Sequence, residues 1–289
     1  MDEKSVVSFK KRNAFADVWH RMRRDKAAMG GLGFLILLIL CAVFAPIVCR
    51  FDYAAQDLRN TFQFPDGVHW FGTDRVGRDV FARIIYGARV SFAIAFTSEA
   101  ISLCIGTTLG VLACFYKRLD NLIMRVMDVL MAMPSTLMSI AIIGALGPGV
   151  RNLIIALTIA NIPSYARISR AAVLTIIDQE YIEAAKSVGV NNWRLVFAHI
   201  LPNSIGTIII AGTMNIAVTI IRCAGLSFVG LGISAPTPEW GSMLAEGRQY
   251  IRTAWYLTVI PGLFIMATAY ACNLLGDALR DALDPRLKN

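Results

Sequence analysis

At 289 residues, with 56% hydrophobic and 17% charged positions and a mean hydropathy of +0.57, the chain is too apolar for an ordinary water-soluble domain and reads as an all-α integral membrane protein. Its formal charge of +8 does not point to nucleic acid, because the positive residues are strung along loops between apolar runs, where they set membrane orientation. Six cysteines, Cys41, Cys49, Cys104, Cys114, Cys223 and Cys272, occur without a CxxC pair and mostly inside apolar runs, the pattern of small packing residues and not of a disulfide framework or metal site.

Residues 1–27 form a polar, basic lead, with Lys4, Lys10, Lys11, Arg12, Arg21, Arg23, Arg24 and Lys26 against Asp2, Glu3, Asp17 and Asp25. The positive-inside tendency keeps it in the cytoplasm. Phe15, Val18, Trp19 and Met22 recur at helical spacing, so its end reads as an amphipathic helix on the membrane surface. Residues 28–48 make a first span of about twenty residues without a small-residue cleavage site, which marks it as retained.

Residues 49–89 are then extracytoplasmic and hold HWFGTDRVGRDVFARIIYG, His69 to Gly87. Gly72, Gly77 and Gly87 suit turns, while Asp74, Arg75, Arg78 and Asp79 can pair locally. Asp79 and Arg83, at i and i+4, are expected to solvate the entry of a helix. Val90 to Tyr116 is a second span, with Lys117 and Arg118 at its cytoplasmic end, Glu99 well inside it, and Gly106 and Gly110 offering a small-xxx-small surface for close packing. Leu122 to Leu146 reads as a third span kinked at Pro134, with Arg125 and Asp128 neutralising one another. Gly147-Pro148-Gly149 turns the chain into a fourth span, Asn152 to about Thr175, broken by Pro163 and carrying Tyr165, Arg167 and Arg170 at its inner end.

Asp178 to Asn203, DQEYIEAAKSVGVNNWRLVFAHILPN, is a polar island between apolar runs. It reads as two short helices and a stop. Asp178 is the expected N-cap, and Glu180 and Glu183 favour the positive end of the helix dipole. Gly189 ends the first helix, Asn191 caps the second, and Pro202, lacking an N–H, stops it. Ala184 and Ala185 leave one helical surface almost bare, open to close approach by another protein. A fifth span from Ser204 to about Ile221, a folded external segment from Leu226 to Arg248 rich in Gly, Pro and Ser, and a last span from Trp255 to Leu275 follow. Residues 90–275 thus form a core of five spans, and residues 276–289 end the chain in the cytoplasm, which makes six crossings with both termini inside.

Glu183-Ala184-Ala185, then Gly189, then Leu201-Pro202 resembles the EAA signature of the membrane subunits of bacterial ATP-binding-cassette importers. GTDRVGRD, LSFVGLG with PEWG, and GDALRDALDPRLKN are similar to segments of the dipeptide, oligopeptide and nickel permease subfamily, in the expected order along nearly the whole chain. His199 stands where the general signature has an apolar residue. Cys223, beside Arg222, stands near LSF where members often carry an acid, so no role of that acid carries over. The resemblance implies a type I ABC importer permease fold with six transmembrane helices in the bacterial inner or plasma membrane. Its implied partners are a homologous second permease subunit, two ABC ATPase subunits, an extracytoplasmic solute-binding protein and membrane lipid, with no nucleic acid. Glu180, Glu183, Ala184, Ala185, Gly189, Leu201 and Pro202 would be the coupling segment that docks on the ATPase.

No GxxxxGK[ST] loop occurs, so ATP is expected to be hydrolysed by the partner subunits, and no cofactor, metal or catalytic residue is assigned to this chain. Short peptides are the cargo the resemblance implies first, with nickel, glutathione or another small solute behind. An ion-driven secondary carrier is the competing reading, and Glu99 is its best support. An unpaired intramembrane charge costs about 2.5–3.5 kcal/mol, so Glu99 and Arg222 are expected to pair with one another or to line the polar path, unless Arg222 snorkels outward and Glu99 is neutral or faces a partner.

Overall fold

Inside a bilayer every backbone N–H and C=O must be satisfied within the chain, and an unclosed protein meets that demand with helices. The computed structural model describes residues 14–283, and the basic positions 4–12 and the tail at 284–289 lie outside them. The elements are α1 (Ala14–Met22), α2 (Lys26–Val43), α3 (Ala45–Val48), α4 (Val80–Phe115), α5 (Lys117–Met131), α6 (Ser135–Leu146), α7 (Val150–Ile177), α8 (Glu180–Ser187), α9 (Asn192–Leu195), α10 (Leu201–Leu226), α11 (Trp240–Gly247) and α12 (Tyr256–Leu283). Among the described residues no strand forms, only an isolated antiparallel bridge between Thr73 and Asp79.

Lys26–Val43, Val80–Phe115, Asn192–Leu231 and Tyr256–Leu283 are each long and apolar enough to cross a membrane, and Arg118–Met131 with Ser135–Leu146 makes a fifth if that bent pair is one span. α7 has 28 residues but does not meet the same standard. Asn152, Asn161, Arg167 and Arg170 make it more polar, and it is enclosed by α4, α5, α6 and α10. α4 begins at Val80, ten residues before the expected second span, and α12 runs on past Leu275.

Three prolines behave differently from expectation, each for a local reason. At Pro134 the helix does not merely kink: α5 and α6 meet at 87°, with Pro134 extended at φ −53°, ψ 131° as the N-cap of α6, and its missing N–H cannot carry α5 onward. Pro163 leaves α7 continuous, since tight neighbours hold the helix over the missing hydrogen bond. Pro202 does not stop a helix either. Val196–Ile200 forms a π turn that leads straight into α10, with Pro202 in its first turn, where an N–H is not needed.

α4 and α7 approach closely through the small surface read in the sequence. A Cβ added at Gly106 would lie 2.4 Å from the Tyr165 Cβ and 2.9 Å from the Ile162 carbonyl, and one at Gly110 would lie 2.5 Å from the Ala166 carbonyl. Two ion pairs hold the amphipathic α5 to the same helix: Arg170 is bidentate to Asp120 at 2.7 Å and 2.7 Å, and Arg167 meets Asp128 at 2.7 Å. Asp128 is therefore taken by α7, and the local Arg125–Asp128 pair is replaced by a bond across helices.

At one end of the bundle, residues 49–79 fold back over α4, α11 and α12. Gly72 and Gly77 take positive φ as the turns require. Gly87 instead lies inside α4, where a Cβ would sit 3.3 Å from the Trp240 ring. Trp240 is fully buried and donates its indole N–H to the Ile84 carbonyl at 3.0 Å. Glu239 caps α11 through the Gly241 and Ser242 N–H groups, each at 2.8 Å. Burial holds its carboxyl above the usual carboxylate range despite those bonds.

Candidate functional site

Three polar constructions stand out against the apolar bundle. The first lies where residues 49–79 meet the bundle. Asp79 caps α4, accepting the Ala82 N–H at 2.7 Å, and contacts His69 Nδ1 at 2.9 Å. Arg83 does not pair with Asp79 and does not face water: its guanidinium reaches Asp74 at 2.7 Å and Glu246 at 2.8 Å, beside Arg78 bound to the same two carboxylates at 2.6 Å and 2.9 Å. The reason is burial, since Asp74, Arg78 and Arg83 are almost inaccessible and two cations with two anions leave no net charge enclosed. The Tyr256 hydroxyl adds hydrogen bonds with the Gln63 and Thr73 carbonyls at 3.0 Å and 2.9 Å. Arg83→Met is expected to lower stability by about 3 kcal/mol, the low end for breaking a buried pair because Glu246 reaches solvent. Thermal unfolding in detergent reads this, and an unchanged melting temperature would show the quartet to be dispensable.

The second is the island after α7. α8 presents Ile182 inward, where with Leu195 and Ile200 it packs against Val173, Ile176 and Ile177 of α7 and Val111, Cys114 and Phe115 of α4. The segment is thereby keyed to the ends of two long helices. Its cap is not Asp178, which closes α7, but Gln179, whose side chain makes no capping bond. Gly189 ends the turn at φ +80°, and Asn191 caps α9 as expected, accepting the Trp193 N–H at 3.3 Å.

The bare surface also differs from the sequence reading. Ala184 is exposed together with Glu180 and Glu183, whereas Ala185 is partly turned into the core beside Ile182. Val188 is 85% exposed, and Trp193 and Phe197 stack with ring centroids 5.9 Å apart while more than half exposed. Leu201 and Pro202 begin α10 and are separated from α8 by the Gly189 turn, α9 and a π turn. Val188 thus stands exposed at the end of α8, while Trp193 and Phe197 line an apolar groove with Val111, Leu112 and Phe115 of α4. Nothing in the sequence separates them from Ile182, Leu195 and Ile200, apolar residues of the same island that pack inward.

The third is a polar knot in the middle of the bundle, where α4, α7 and α10 meet. Glu99 accepts from Asn161 at 2.7 Å, from the Tyr165 hydroxyl at 2.5 Å and from the Thr219 hydroxyl. Arg222 donates instead to the Asn161 carbonyl oxygen at 2.5 Å. Glu99 and Arg222 are brought together but do not form a direct pair; one asparagine bridges them. Asn161, Tyr165 and Thr219 were not chosen from sequence for this role, although an asparagine in the middle of a span is itself a sign of a polar partner. Ser98 and Ser102 extend the seam by bonding backbone carbonyls of their own helix at 2.7 Å and 2.6 Å.

Residues 105–289 match the family described as binding-protein-dependent transport system inner membrane component, and residues 13–65 match the N-terminal TM domain of oligopeptide transport permease C. The chain is 43% identical over 274 residues to the dipeptide transport system permease protein DppC of Alkalihalophilus pseudofirmus, covering 94% of this chain and 90% of that protein. It is 42% identical over 282 residues to the glutathione transport system permease protein GsiD of Pectobacterium atrosepticum, covering 96% and 93%. Among solved structures, an inward-facing form of the MetNI methionine ABC transporter superposes with a TM-score of 0.59 at 19% identity, over 71% of this chain and 98% of that one. That last likeness is one of fold.

Proposed function

We propose, for a chain that belongs to the family of binding-protein-dependent transport system inner membrane components, that it forms half of the translocation path of an ATP-driven peptide importer and transmits force from separate ATPases to that path. The observation that carries the coupling role is the island at 178–203. Its inner face is wedged against α4 and α7, while Ala184, Val188, Trp193 and Phe197 remain largely exposed. An exposed apolar patch on a polar segment is the ordinary mark of a protein contact.

In this reading the island faces the cytoplasm and residues 49–79 face outside, so both termini are cytoplasmic. α7 completes six crossings, its polar residues being served by α4, α5 and α10. A homologous permease subunit supplies the other half of the path, two ATPases dock on the islands, and an extracytoplasmic binding protein delivers cargo to the outer end. The chain has no ATPase site of its own, and its work is to tilt packed helices between two arrangements. Short peptides are the favoured cargo because relatives over almost the full length are named as dipeptide and di/tripeptide permeases. Glutathione, itself a tripeptide, is the second candidate on the same ground.

Proteoliposomes holding the complete assembly should accumulate labelled di- and tripeptides only with ATP and binding protein, with nickel failing to compete. Uptake that survives without the ATPases and follows a proton gradient would replace this reading with an ion-coupled carrier, the mechanism in which Glu99 would act as the proton site.

A further inference from the structure

Arg222 is unusual among the cations of this chain. It lies on α10 about 30 Å from Leu201 at 1.5 Å per residue, in the last turns of the long apolar helix, and it has no carboxylate partner of its own. The nearest acid, Glu99, is already occupied by three neutral donors, Asn161, Tyr165 and Thr219. Those bonds also orient Asn161: its amide nitrogen is held by Glu99, so its carbonyl oxygen faces Arg222. One Arg222 nitrogen is fixed in this way. No other described group accepts from the guanidinium, and none of its nitrogens is a buried orphan; the remaining N–H groups therefore open onto accessible space. On the same helix Val218, Ile221 and Gly225 are uncovered, as is Val229 just beyond its end.

A guanidinium held at one nitrogen and free at the others is a fork for a carboxylate, which it binds through two parallel charge-assisted hydrogen bonds. Glu99, one asparagine away, balances the cation when the fork is empty without filling it. We propose that Arg222 is a carboxylate-recognition residue in the translocation path, taking the C-terminal carboxylate of a peptide as it crosses. The assignment rests on the peptide-import reading and sharpens it by naming the cargo group that is recognised.

The test compares a tripeptide with its C-terminal amide in proteoliposomes of the full assembly, with binding protein saturating, for the native chain, Arg222→Gln and Arg222→Lys. Arg222→Gln should slow uptake of the acid about tenfold, the loss expected when a charge-assisted pair is removed, and leave the amide rate near the native value. Arg222→Lys, keeping the charge and losing the fork, should fall between. ATPase activity stimulated by the binding protein should persist in both variants, which reports that folding and coupling are intact. Equal slowing of acid and amide, or no slowing of either, overturns the assignment while leaving peptide import standing. If the native assembly moves neither peptide, the import reading fails at its own control, and the assignment fails with it.

Discussion

Val188→Asp should abolish productive coupling while leaving the membrane bundle intact. Val188 is 85% exposed, so the substitution alters almost no internal contact, and surface changes of that kind usually stay within about 0.5 kcal/mol of native stability. Burying a valine side chain at an interface contributes about 1.5–3 kcal/mol, which corresponds to docking weakened by roughly ten- to a hundredfold, before the repulsion of a buried carboxylate is counted. Gly189→Pro should act in the same direction. Gly189 holds φ at +80° and donates its N–H to the Lys186 carbonyl at 3.0 Å, whereas proline fixes φ near −65° and has no N–H. Ala185→Asp, the substitution that the bare Ala-Ala surface suggests, is a poorer probe because Ala185 partly faces Ile182 and would disturb packing as well; Ala184→Asp reads the exposed face. Co-purification of the ATPases and ATP-dependent uptake measure the effect together. Normal uptake by Val188→Asp and Gly189→Pro would remove the island from the coupling route.

Gly106→Ala should be among the most damaging single-methyl additions in the chain. The new Cβ meets Tyr165 Cβ at 2.4 Å and the Ile162 carbonyl at 2.9 Å, atoms at the root of a side chain and in the backbone, which cannot swing aside. Relief requires α4 and α7 to separate, and that in turn pulls the Tyr165 hydroxyl from Glu99. A cost of about 3 kcal/mol follows, the upper part of the usual range for overpacking. Gly144→Ala makes the contrast, since nothing lies within 4 Å of that Cβ in the last turn of α6, and alanine should stabilise the helix by no more than about 0.5–1 kcal/mol. The ordering of melting temperatures in detergent, Gly144→Ala at or above native and Gly106→Ala well below, checks both; equal values would mean that the α4–α7 contact is looser than described.

Much of this arrangement is legible in the chain because bilayer physics narrows the choices. Long apolar runs announce helices, the Gly106/Gly110 spacing announces a close crossing, and Gly189 and Asn191 act as the helix end and cap that their residue types suggest. What escaped are choices that only the neighbouring helices decide. Asp128 and Arg83 each have a plausible partner three or four residues away, and each binds another element instead, Arg167 in one case and Asp74 with Glu246 in the other. A local pattern cannot rank those alternatives, because the cross-helix partner exists only once the chain is packed. The prolines misled in the same way: Pro202 reads as a stop, but the π turn before it leaves no hydrogen bond for the proline to break.

That uninterrupted passage has a thermodynamic consequence. The backbone stays helical from Asn192 through Val229, until Gly230 leaves the helix at φ +88°, so Trp193 and Arg222 belong to the same rod. If a ligand at Arg222 and a protein gripping Trp193 each prefer one position of the rod, each changes the other's affinity by the same factor, because linkage between binding equilibria is reciprocal. Under the proposed function, cargo at Arg222 and an ATPase at the island would sense one another through a single element. The strength of that sensing can be measured from either end.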